Sequence, residues 1–370
     1  MAKKKRYFIT GGGTGGHIYP AVAVADELLK QDETEHIFYI GNPNNLEASI
    51  VKEKDYTFLP VISSGMPRKA CFELFKWAFG MFFAWLKCIK YIKQYKPDVI
   101  FGTGGYVSAP VLFAGLTMGV PFVMHDCDAN PGLVTRKLAP FAKSVSIAFE
   151  AAKDKINNTN CFVNGNPIRH DFREITKENA LSELNLQNKL TLCIMGGSQG
   201  SKRINEAAAN ILRDLSLKLD LQIIFQTGKK NYDEVLEKLK YLYPEHNEDK
   251  NIIIKPYFDN MPAILKASDI AVSRAGSLSI SELCASSTAS IFIPYPYAAA
   301  DHQRKNAKYM VEKGAGLYLE NEDTNPENLY RLIKTLADNP EQLKSIQNSA
   351  QNLAKFDGTE KIAQLVKDCI

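Results

Sequence analysis

The chain has 370 residues, of which 45% are hydrophobic and 23% charged, and its net charge is +4. These ordinary globular values predict two domains with buried cores, and the modest charge argues against a general nucleic-acid-binding protein. Seven scattered cysteines without a C-x-x-C pair argue against a disulfide framework or a zinc site. The N-terminus lacks the apolar core of a signal peptide. Both observations predict a reducing, cytoplasmic environment.

The first half alternates short apolar strands with glycine turns and helical segments. RYFIT leads into the loop GGGTGGH and the helix AVAVADELLK, and HIFYIG, DVIFGTGG and PFVMHD follow as further strands. The loop matches G-x-G-x-x-G, which suits a phosphate at a helix N-terminus, although a single match is weak. A dinucleotide site also needs an acid at the end of the second strand, and HIFYIG ends in Gly41-Asn42-Pro43-Asn44. A nicotinamide-dependent oxidoreductase is therefore disfavoured.

A histidine, His17, stands where the helix after this loop begins. The positive end of a helix dipole disfavours an imidazolium, so the ring is expected to stay neutral and able to accept a proton. A structural histidine bonded to a nearby carbonyl is an equally good interpretation of the loop alone.

A basic, aromatic segment follows at residues 66–97. It carries seven basic side chains and one acid, Glu73, which gives a net charge of +6, and it holds both tryptophans. Its longest uncharged run, Trp77 to Leu86, is too short to cross a bilayer. Aromatic side chains flanked by lysines are typical of a helix in a membrane interface, and a core helix with solvated lysines is the alternative.

Two more motifs of the first half follow predicted strands. GTGGY at 102–106 is a further glycine loop, and MHDCDANPG places His125, Asp126 and Asp128 at a strand end. The spacing of these side chains matches no common zinc pattern, so acid–base or structural hydrogen-bonding roles are predicted instead of metal ligation.

The pattern of strand, glycine loop and helix restarts at residue 189. KLTLCIMGGSQGS opens the second half, and QIIFQTG, NIIIKPYF, DIAVSRAG and ASIFIPYP continue it. In GGSQGS the side chains of Ser198 and Gln199 add donors to the backbone amides, as a diphosphate site requires. The two halves predict an α/β protein with two Rossmann-like parallel-sheet domains facing each other across a cleft, divided near residue 163.

Two polar groups of the second half suit a sugar nucleotide. Glu282, about one turn into the helix after SRAG, is placed to accept both hydroxyls of a ribose, and a solvated helical glutamate is the alternative. In PYPYAAADHQRKNA, His302 and Gln303 suit the recognition of sugar hydroxyls, and a plain helix cap is the alternative.

Six motifs occur in order between residue 7 and about residue 310: GGGTGGHIYPAVAVA, GTGGYVSAP, GNPIR, GGSQGS, SRAGSLSISEL and DHQRKNA. Together they resemble the MurG family of bacterial glycosyltransferases. The resemblance implies the GT-B fold, with an acceptor- and membrane-facing domain at 1–163 and a UDP-N-acetylglucosamine-binding domain at 164–354. A last helix, about 355–370, is expected to pack back on the first domain.

The resemblance also implies the reaction. N-acetylglucosamine would pass, with inversion, from UDP-GlcNAc to the 4-hydroxyl of the muramyl sugar of undecaprenyl-pyrophosphoryl-MurNAc-pentapeptide (lipid I), forming lipid II for peptidoglycan synthesis. His17 is the first candidate for the general base and Asp126 the second. No cofactor is implied, and stimulation by a divalent cation stays open.

Further site residues follow from the motifs that match the family. The donor is expected to contact Thr14, Gly15, Gly16, Arg169, Ser198, Gln199, Phe258, Ser277, Leu278, Glu282, His302 and Gln303. Of these, Arg169 and Ser198 are assigned to the diphosphate, Phe258 and Leu278 to the uracil, Glu282 to the ribose, and His302 and Gln303 to the sugar. The acceptor side is expected to include Gly13, Gly104, Gly105, Tyr106, His125 and Asp128.

A peripheral location on the cytoplasmic face of the cell membrane is expected, with attraction to anionic inner-leaflet lipids. Membrane contact is assigned to Phe75, Phe79, Phe82, Trp85, Lys69 and Lys76. Membership of a cell-wall or division complex stays open. The alternatives are another UDP-sugar-dependent lipid glycosyltransferase, such as a diacylglycerol glycosyltransferase, and a non-catalytic UDP-GlcNAc sensor.

This chain departs from the family pattern at two places. His125-Asp126-Cys127-Asp128 stands where many relatives read H-E-Q-N, and His302-Gln303 stands where some have two glutamines. The shorter carboxylate at Asp126 and the imidazole at His302 are therefore the positions where geometry is expected to differ.

Overall fold

The computed structural model describes residues 4–30, 33–67, 72–197 and 199–370. The chain divides into two compact units, which we call unit 1 (Met1–Ile168 with Asp357–Ile370) and unit 2 (Arg169–Phe356). The sequence-predicted division, after residue 163 and before residue 355, falls a few residues from these boundaries.

Unit 1 is built around a parallel sheet of seven strands. The strands lie in the order β3-β2-β1-β4-β5-β6-β7, so that β1 pairs with both β2 and β4. The central strands β4 and β5 are buried along their whole length, as expected where helices cover both faces of a parallel sheet. The strands are β1 (Lys5–Thr10), β2 (Thr34–Gly41), β3 (Thr57–Pro60), β4 (Val99–Gly102), β5 (Phe122–Asp126), β6 (Ser144–Ile147) and β7 (Cys161–Val163).

The helices of unit 1 differ in how much of their length is buried. α1 buries Ile18, Ala21, Val22, Ala25 and Leu28, the spacing of one helical face. The helices are α1 (Gly15–Leu29), α2 (Leu46–Lys52), α3 (Phe72–Tyr95), α4 (Gly105–Met118) and α5 (Leu133–Leu138). α1 and α4 start directly after glycine loops, which places their N-termini at the carboxyl edge of the sheet.

Unit 2 repeats this plan with a parallel sheet of six strands in the order β10-β9-β8-β11-β12-β13. The strands are β8 (Thr191–Met195), β9 (Gln222–Gln226), β10 (Ile252–Lys255), β11 (Ile270–Ser273), β12 (Ala289–Phe292) and β13 (Leu317–Tyr318). The helices are α6 (Asp171–Glu174), α7 (Lys177–Glu183), α8 (Lys202–Leu217), α9 (Tyr232–Leu242), α10 (Met261–Ala267), α11 (Ser277–Ala285), α12 (His302–Glu312), α13 (Pro326–Ala337) and α14 (Pro340–Leu353).

The last helix, α15 (Gly358–Lys367), belongs to unit 1 although it follows unit 2 in the chain. It buries Ile362, Ala363 and Val366 in the same apolar cluster as α1. The predicted fold class, an α/β protein of two Rossmann-like parallel sheets, is confirmed.

Candidate active site

In each sheet the chain adds strands first on one side of the first strand and then on its other side, so the strand order reverses next to that first strand. In unit 1 the chain leaves β1 toward β2 and leaves β4 toward β5, so the loops at 11–14 and 103–104 follow neighbouring strands. In unit 2 the loops at 196–201 and 274–276, after β8 and β11, have the same relation. Doubly wound sheets bind ligands at this point. The predicted glycine loops therefore lie where each sheet is expected to bind a ligand.

His17 lies half-buried in the first turn of α1, with its ring against Gly104 and Gly105. Its Nδ1 is 3.0 Å from the carbonyl oxygen of Thr103. Because a carbonyl only accepts, Nδ1 carries the proton and, in the neutral ring, Nε2 keeps its lone pair. Nε2 has no hydrogen-bond partner among the described residues. The ring is therefore bonded to a carbonyl through one nitrogen, as the structural interpretation of the loop predicts, and its other nitrogen is not used by the described residues.

Tyr106 covers the first glycine loop. Gly13 has φ +86°, a conformation that favours glycine, and a Cβ built there would lie 3.1 Å from the Tyr106 ring. The Tyr106 hydroxyl accepts a hydrogen bond from Asn45 Nδ2 at 2.9 Å. The N–H of Gly13 donates to Glu47 Oε2 at 3.3 Å, so the protein itself uses this amide.

Three residues expected at the donor belong to this loop of unit 1. Thr14 is the exposed N-cap of α1, and Gly15 and Gly16 form the first turn of the helix. The other residues expected at the donor lie in unit 2. The structure thus divides the predicted donor set between its two units.

His125 stands on β5 and is 0% exposed. Its Nε2 donates to Asn166 Oδ1 at 3.0 Å, and its Nδ1 accepts from Ser146 Oγ at 3.1 Å. Burial lowers the pKa of His125 to about 4. The ring is neutral and has both nitrogens occupied, so it joins β6 to the segment that carries Asn166 and has no free nitrogen for a ligand. Asn166 in turn donates from Nδ2 to the carbonyl of Cys127 at 3.3 Å.

Asp126, at the end of β5, has both carboxylate oxygens engaged by the loop that follows it. Oδ2 accepts from the N–H of Gly132 at 2.9 Å, and Oδ1 accepts from the N–H of half-buried Asp128 at 3.2 Å. Burial and then the charge of Asp128 raise the pKa of the Asp126 carboxyl. This carboxylate fixes the loop, whereas the free nitrogen of His17 is not used in holding the protein together.

In unit 2, two of the expected donor residues contact each other. Arg169 Nη2 lies 3.4 Å from Glu282 Oε1, and Arg169 Nη1 donates to the carbonyl of Asp259 at 3.2 Å. Glu282 stands on the second turn of α11, where burial raises the pKa of its carboxyl and the Arg169 guanidinium partly opposes that shift. The pair brings a cation and an acceptor for hydroxyls into contact, as the phosphate and the ribose of one nucleotide require.

Arg274 is a half-buried cation beside the glycine loop at 196–201. Its guanidinium donates to the carbonyls of Ile293 (3.1 Å) and Pro294 (2.9 Å) and to Ser201 Oγ (2.7 Å). Burial lowers its pKa to about 10, and it forms no ion pair with a carboxylate among the described residues. The charge of Glu322 partly opposes the effect of burial on this pKa. Arg274 therefore places a cation next to the loop that is expected to bind a diphosphate.

Other expected donor residues lie around the same edge of the sheet. Gln199 is exposed in the glycine loop at 196–201, and Ser198 lies outside the described residues. Phe258 is buried, and its N–H donates to Gln226 Oε1 at 3.0 Å. Ser277 and Leu278 are the first two residues of α11.

His302 and Gln303 open helix α12. His302 Nδ1 donates to the carbonyl of Ala299 at 2.8 Å, which leaves Nε2 with its lone pair in the neutral ring. Gln303 Oε1 accepts from the N–H of Tyr295 at 2.9 Å, which leaves its amide N–H groups for a ligand. His302 thus presents a hydrogen-bond acceptor and Gln303 presents a donor, the combination that is needed to recognise a sugar hydroxyl.

The N-terminal half of α3 forms an apolar surface, which we call the aromatic surface. Phe75, Phe79 and Phe82 are 78%, 66% and 50% exposed, and Lys76 is exposed among them. Trp85 is half-buried against Phe113, and Lys69 lies outside the described residues.

The C-terminal half of α3 packs instead, because Ala84, Cys88 and Ile92, four residues apart, enter the core. The interpretation of the segment as a core helix therefore fits only its second half. No helix in the described parts of the chain has the length and apolar character needed to span a bilayer.

Sequence reasoning missed two charged residues of these regions. In the sequence, Glu47 is typical of a polar residue in an amphipathic helix, and Arg274 of SRAGSL has no feature that indicates a role. Both are identified only by burial and by partners distant in sequence. Within the described ranges, no group of three or more His, Cys, Asp or Glu side chains is arranged to hold a metal ion.

Comparison with known proteins agrees along the whole chain. Residues 7–147 match the glycosyltransferase family 28 N-terminal domain, and residues 191–366 match the C-terminal domain of the same family. The chain is 38% identical, over 98% of both chains, to a protein of Desulforamulus reducens named UDP-N-acetylglucosamine–N-acetylmuramyl-(pentapeptide) pyrophosphoryl-undecaprenol N-acetylglucosamine transferase. A protein of the same name from a Thermoanaerobacter species is 36% identical over 98% of this chain and 99% of its own. The crystal structure of MurG from Acinetobacter baumannii superimposes with a TM-score of 0.80 at 25% identity, covering 98% of this chain and 99% of that one.

Proposed function

The chain belongs to the MurG family of glycosyltransferases, and we propose that it transfers N-acetylglucosamine from UDP-GlcNAc to the 4-hydroxyl of the muramyl sugar of lipid I, forming lipid II. The observation that carries the proposal is the identity of 38% over 98% of both chains with a transferase named for this reaction. Lipid II formation makes the protein an enzyme of peptidoglycan synthesis.

His17 is proposed as the general base. As the muramyl 4-hydroxyl oxygen bonds to the anomeric carbon, the hydroxyl proton passes to Nε2 of His17, and the bond from that carbon to the diphosphate oxygen breaks with its electron pair leaving on UDP. Attack from the face opposite UDP inverts the anomeric centre. The hydrogen bond from Nδ1 to Thr103 supports this role because it holds the tautomer that has a free Nε2. Asp126, the second candidate, has both oxygens occupied by backbone N–H groups.

Unit 2 is proposed to hold the donor. Arg169, Ser198 and Gln199 would bind the diphosphate, and the positive charge of Arg274 would stabilise the negative charge that develops on the leaving group. Glu282 would accept the ribose hydroxyls. Phe258 and Leu278 would border the uracil, and His302 and Gln303 would contact the sugar. Ser277 of unit 2 and Thr14, Gly15 and Gly16 of unit 1 are proposed as further donor contacts.

Unit 1 is proposed to bind the acceptor and the membrane. Gly13, Gly104, Gly105 and Tyr106 would line the acceptor, with His125 and Asp128 acting through the loop that they support. The aromatic surface would enter the headgroup region of the cytoplasmic leaflet, and lysines such as Lys76 would attract anionic lipid. Membership of a cell-wall or division complex is a further proposal that the family suggests.

One assay separates this proposal from its rivals. UDP release is measured from UDP-GlcNAc with a lipid I analogue and, in parallel, with diacylglycerol as acceptor. We expect release only with the lipid I analogue. Release with diacylglycerol alone would identify a different lipid glycosyltransferase, and UDP-GlcNAc binding without release in either case would identify a sensor.

A further inference from the structure

Glu47 is a buried carboxylate of unit 1 for which the proposed reaction has no use. It lies in the first turn of α2 and is 0% exposed. It forms no ion pair with any residue in the described part of the chain. Burying an unpaired carboxylate is costly unless hydrogen bonds replace its water. The side chain is therefore expected to have a specific role in unit 1.

Both oxygens of Glu47 accept hydrogen bonds from the loops at the carboxyl edge of the sheet. Oε2 accepts from the N–H of Gly13 at 3.3 Å, and Oε1 accepts from the N–H of Asn42 at 3.1 Å and from Asn45 Nδ2 at 3.4 Å. The carboxylate thus joins the loop after β2 to the loop after β1. His17 follows Gly13 by only four residues, so this connection also fixes the start of its helix.

The glycine loop is shaped around this side chain. A Cβ built on Gly12 would lie 2.5 Å from Glu47 Oε1, a distance at which the carboxylate or the loop would have to move. The same Cβ would lie 2.9 Å from the Val107 side chain, so the approach of Glu47 and Val107 is sufficient to require glycine at this position.

A second connection runs from Glu47 to Tyr106. Asn45 Nδ2 has two protons, and it donates to Glu47 Oε1 at 3.4 Å and to the Tyr106 hydroxyl at 2.9 Å. Tyr106 in turn lies over Gly13. The carboxylate therefore contacts Gly13 directly, through a hydrogen bond, and indirectly, through Asn45 and the Tyr106 ring.

We propose that Glu47 is a positioning residue of the acceptor region, which holds the Gly11–Gly13 loop and the Tyr106 ring in the arrangement that places His17. The inference deepens the proposed function and rests on it. Glu47 touches neither substrate, so it acts through Gly13 and Asn45. One consequence is that the Gly13 N–H is committed to Glu47 and is not available to the acceptor pyrophosphate.

The test is the variant Glu47→Gln in the full-length protein. Both Glu47 oxygens accept hydrogen bonds, but an amide has one acceptor, so one N–H would face the glutamine NH₂ group. We expect kcat for transfer to the lipid I analogue to fall about 10- to 100-fold, the cost of a small misplacement of reacting groups. The affinity for free UDP should stay within about two-fold, because the residues assigned to the uracil, the ribose and the diphosphate all lie in unit 2.

Hydrogen exchange supplies a readout independent of activity. The peptide spanning residues 11–17 should exchange faster in Glu47→Gln, because the Gly13 amide loses its acceptor, while peptides of unit 2 should keep their rates. The matched control is Glu53→Gln, an exposed glutamate at the end of the same helix, which should match the unmodified protein in both measurements. Combining Glu47→Gln with Tyr106→Phe should cost less than the sum of the single effects, because both act on one network.

The outcomes distinguish this inference from the proposed function. Unchanged kcat and exchange in a folded Glu47→Gln protein would overturn the inference. If that variant fails to fold, Asn45→Ala removes the hydrogen bonds that Asn45 donates to Glu47 and to Tyr106 and keeps those that Glu47 accepts from Gly13 and Asn42. An unchanged kcat in that variant would also overturn the inference. If the unmodified protein itself transfers no sugar to the lipid I analogue, the proposed function fails, while the exchange experiment still tests whether Glu47 holds the loop.

Discussion

The burial of His125 predicts a loss of stability in unit 1 as the pH falls. Its pKa is lowered to about 4 in the folded protein, from an ordinary value of about 6.5, because the buried ring cannot be charged without cost. Between these two values the unfolded chain binds a proton that the folded chain does not, so the free energy of unfolding decreases as the pH decreases through that window.

The size of the effect follows from the two pKa values. Between pH 7.5 and pH 4.5, the linkage relation gives a loss of about 2.5 kcal/mol from this one group. The loss should be largely absent in His125→Gln, whose amide does not titrate and keeps an N–H for Asn166 Oδ1. His36→Gln, which replaces a half-buried histidine on β2, leaves the surroundings of His125 unchanged and should keep the original pH dependence.

Urea denaturation followed by tryptophan fluorescence measures this loss. Trp77 and Trp85 are the two tryptophans of the chain and both stand on α3, so the signal reports unit 1. The quantity to compare is the difference in unfolding free energy between pH 7.5 and 4.5, not the absolute stability, which the substitution itself changes. If His125→Gln and the unmodified protein lose the same free energy over this interval, His125 is not a buried neutral group and the reasoning is wrong.

Three further predictions concern catalysis, donor binding and membrane binding. His17→Ala should lower kcat about 10²- to 10⁴-fold in the UDP-release assay, the usual contribution of a general base, and a change of only a few-fold would exclude His17 from that role. Glu282→Gln should weaken UDP binding about ten-fold by calorimetry, because a neutral amide is a poorer acceptor for ribose hydroxyls. The loss of affinity should be smaller with 2′-deoxy-UDP, which lacks one of these hydroxyls. An equal loss of affinity with both nucleotides would argue against ribose binding by Glu282. The double variant Phe75→Ser, Phe79→Ser should sediment less with anionic vesicles, and high salt should release the unmodified protein from them. The control is Tyr241→Ser, which replaces an equally exposed aromatic residue of unit 2 and should leave sedimentation unchanged. Salt-independent binding to neutral vesicles would contradict the proposed attraction between the lysines and anionic lipid.

Local patterns in the sequence were sufficient to predict the architecture. Apolar runs such as RYFIT and DVIF end in glycine loops because a parallel strand must turn sharply into the helix that covers it, and both the run and the glycines are visible in the sequence. The same reasoning located His17 at a helix start. Three short strands, β3, β6 and β13, were not identified individually, because two to four residues contain little periodicity to distinguish a strand from a loop.

What the sequence could not decide depended on contacts between distant segments. The aromatic residues of α3 predicted a membrane helix and a core helix equally well. In the structure α3 packs against α4, which buries one half of α3 and leaves the other half exposed. His125 and Asp126 look alike as candidate acid–base groups, yet Asn166 and Gly132 occupy their polar atoms.

Glu47 shows this division most clearly. Its helix and its polar character are set by the sequence of α2, but its burial arises because the sheet brings the loops after β1 and β2 side by side. Periodicity is a property of neighbouring residues and is therefore written in the sequence. Burial and hydrogen-bond partners come from segments far along the chain, so only the tertiary structure assigns them.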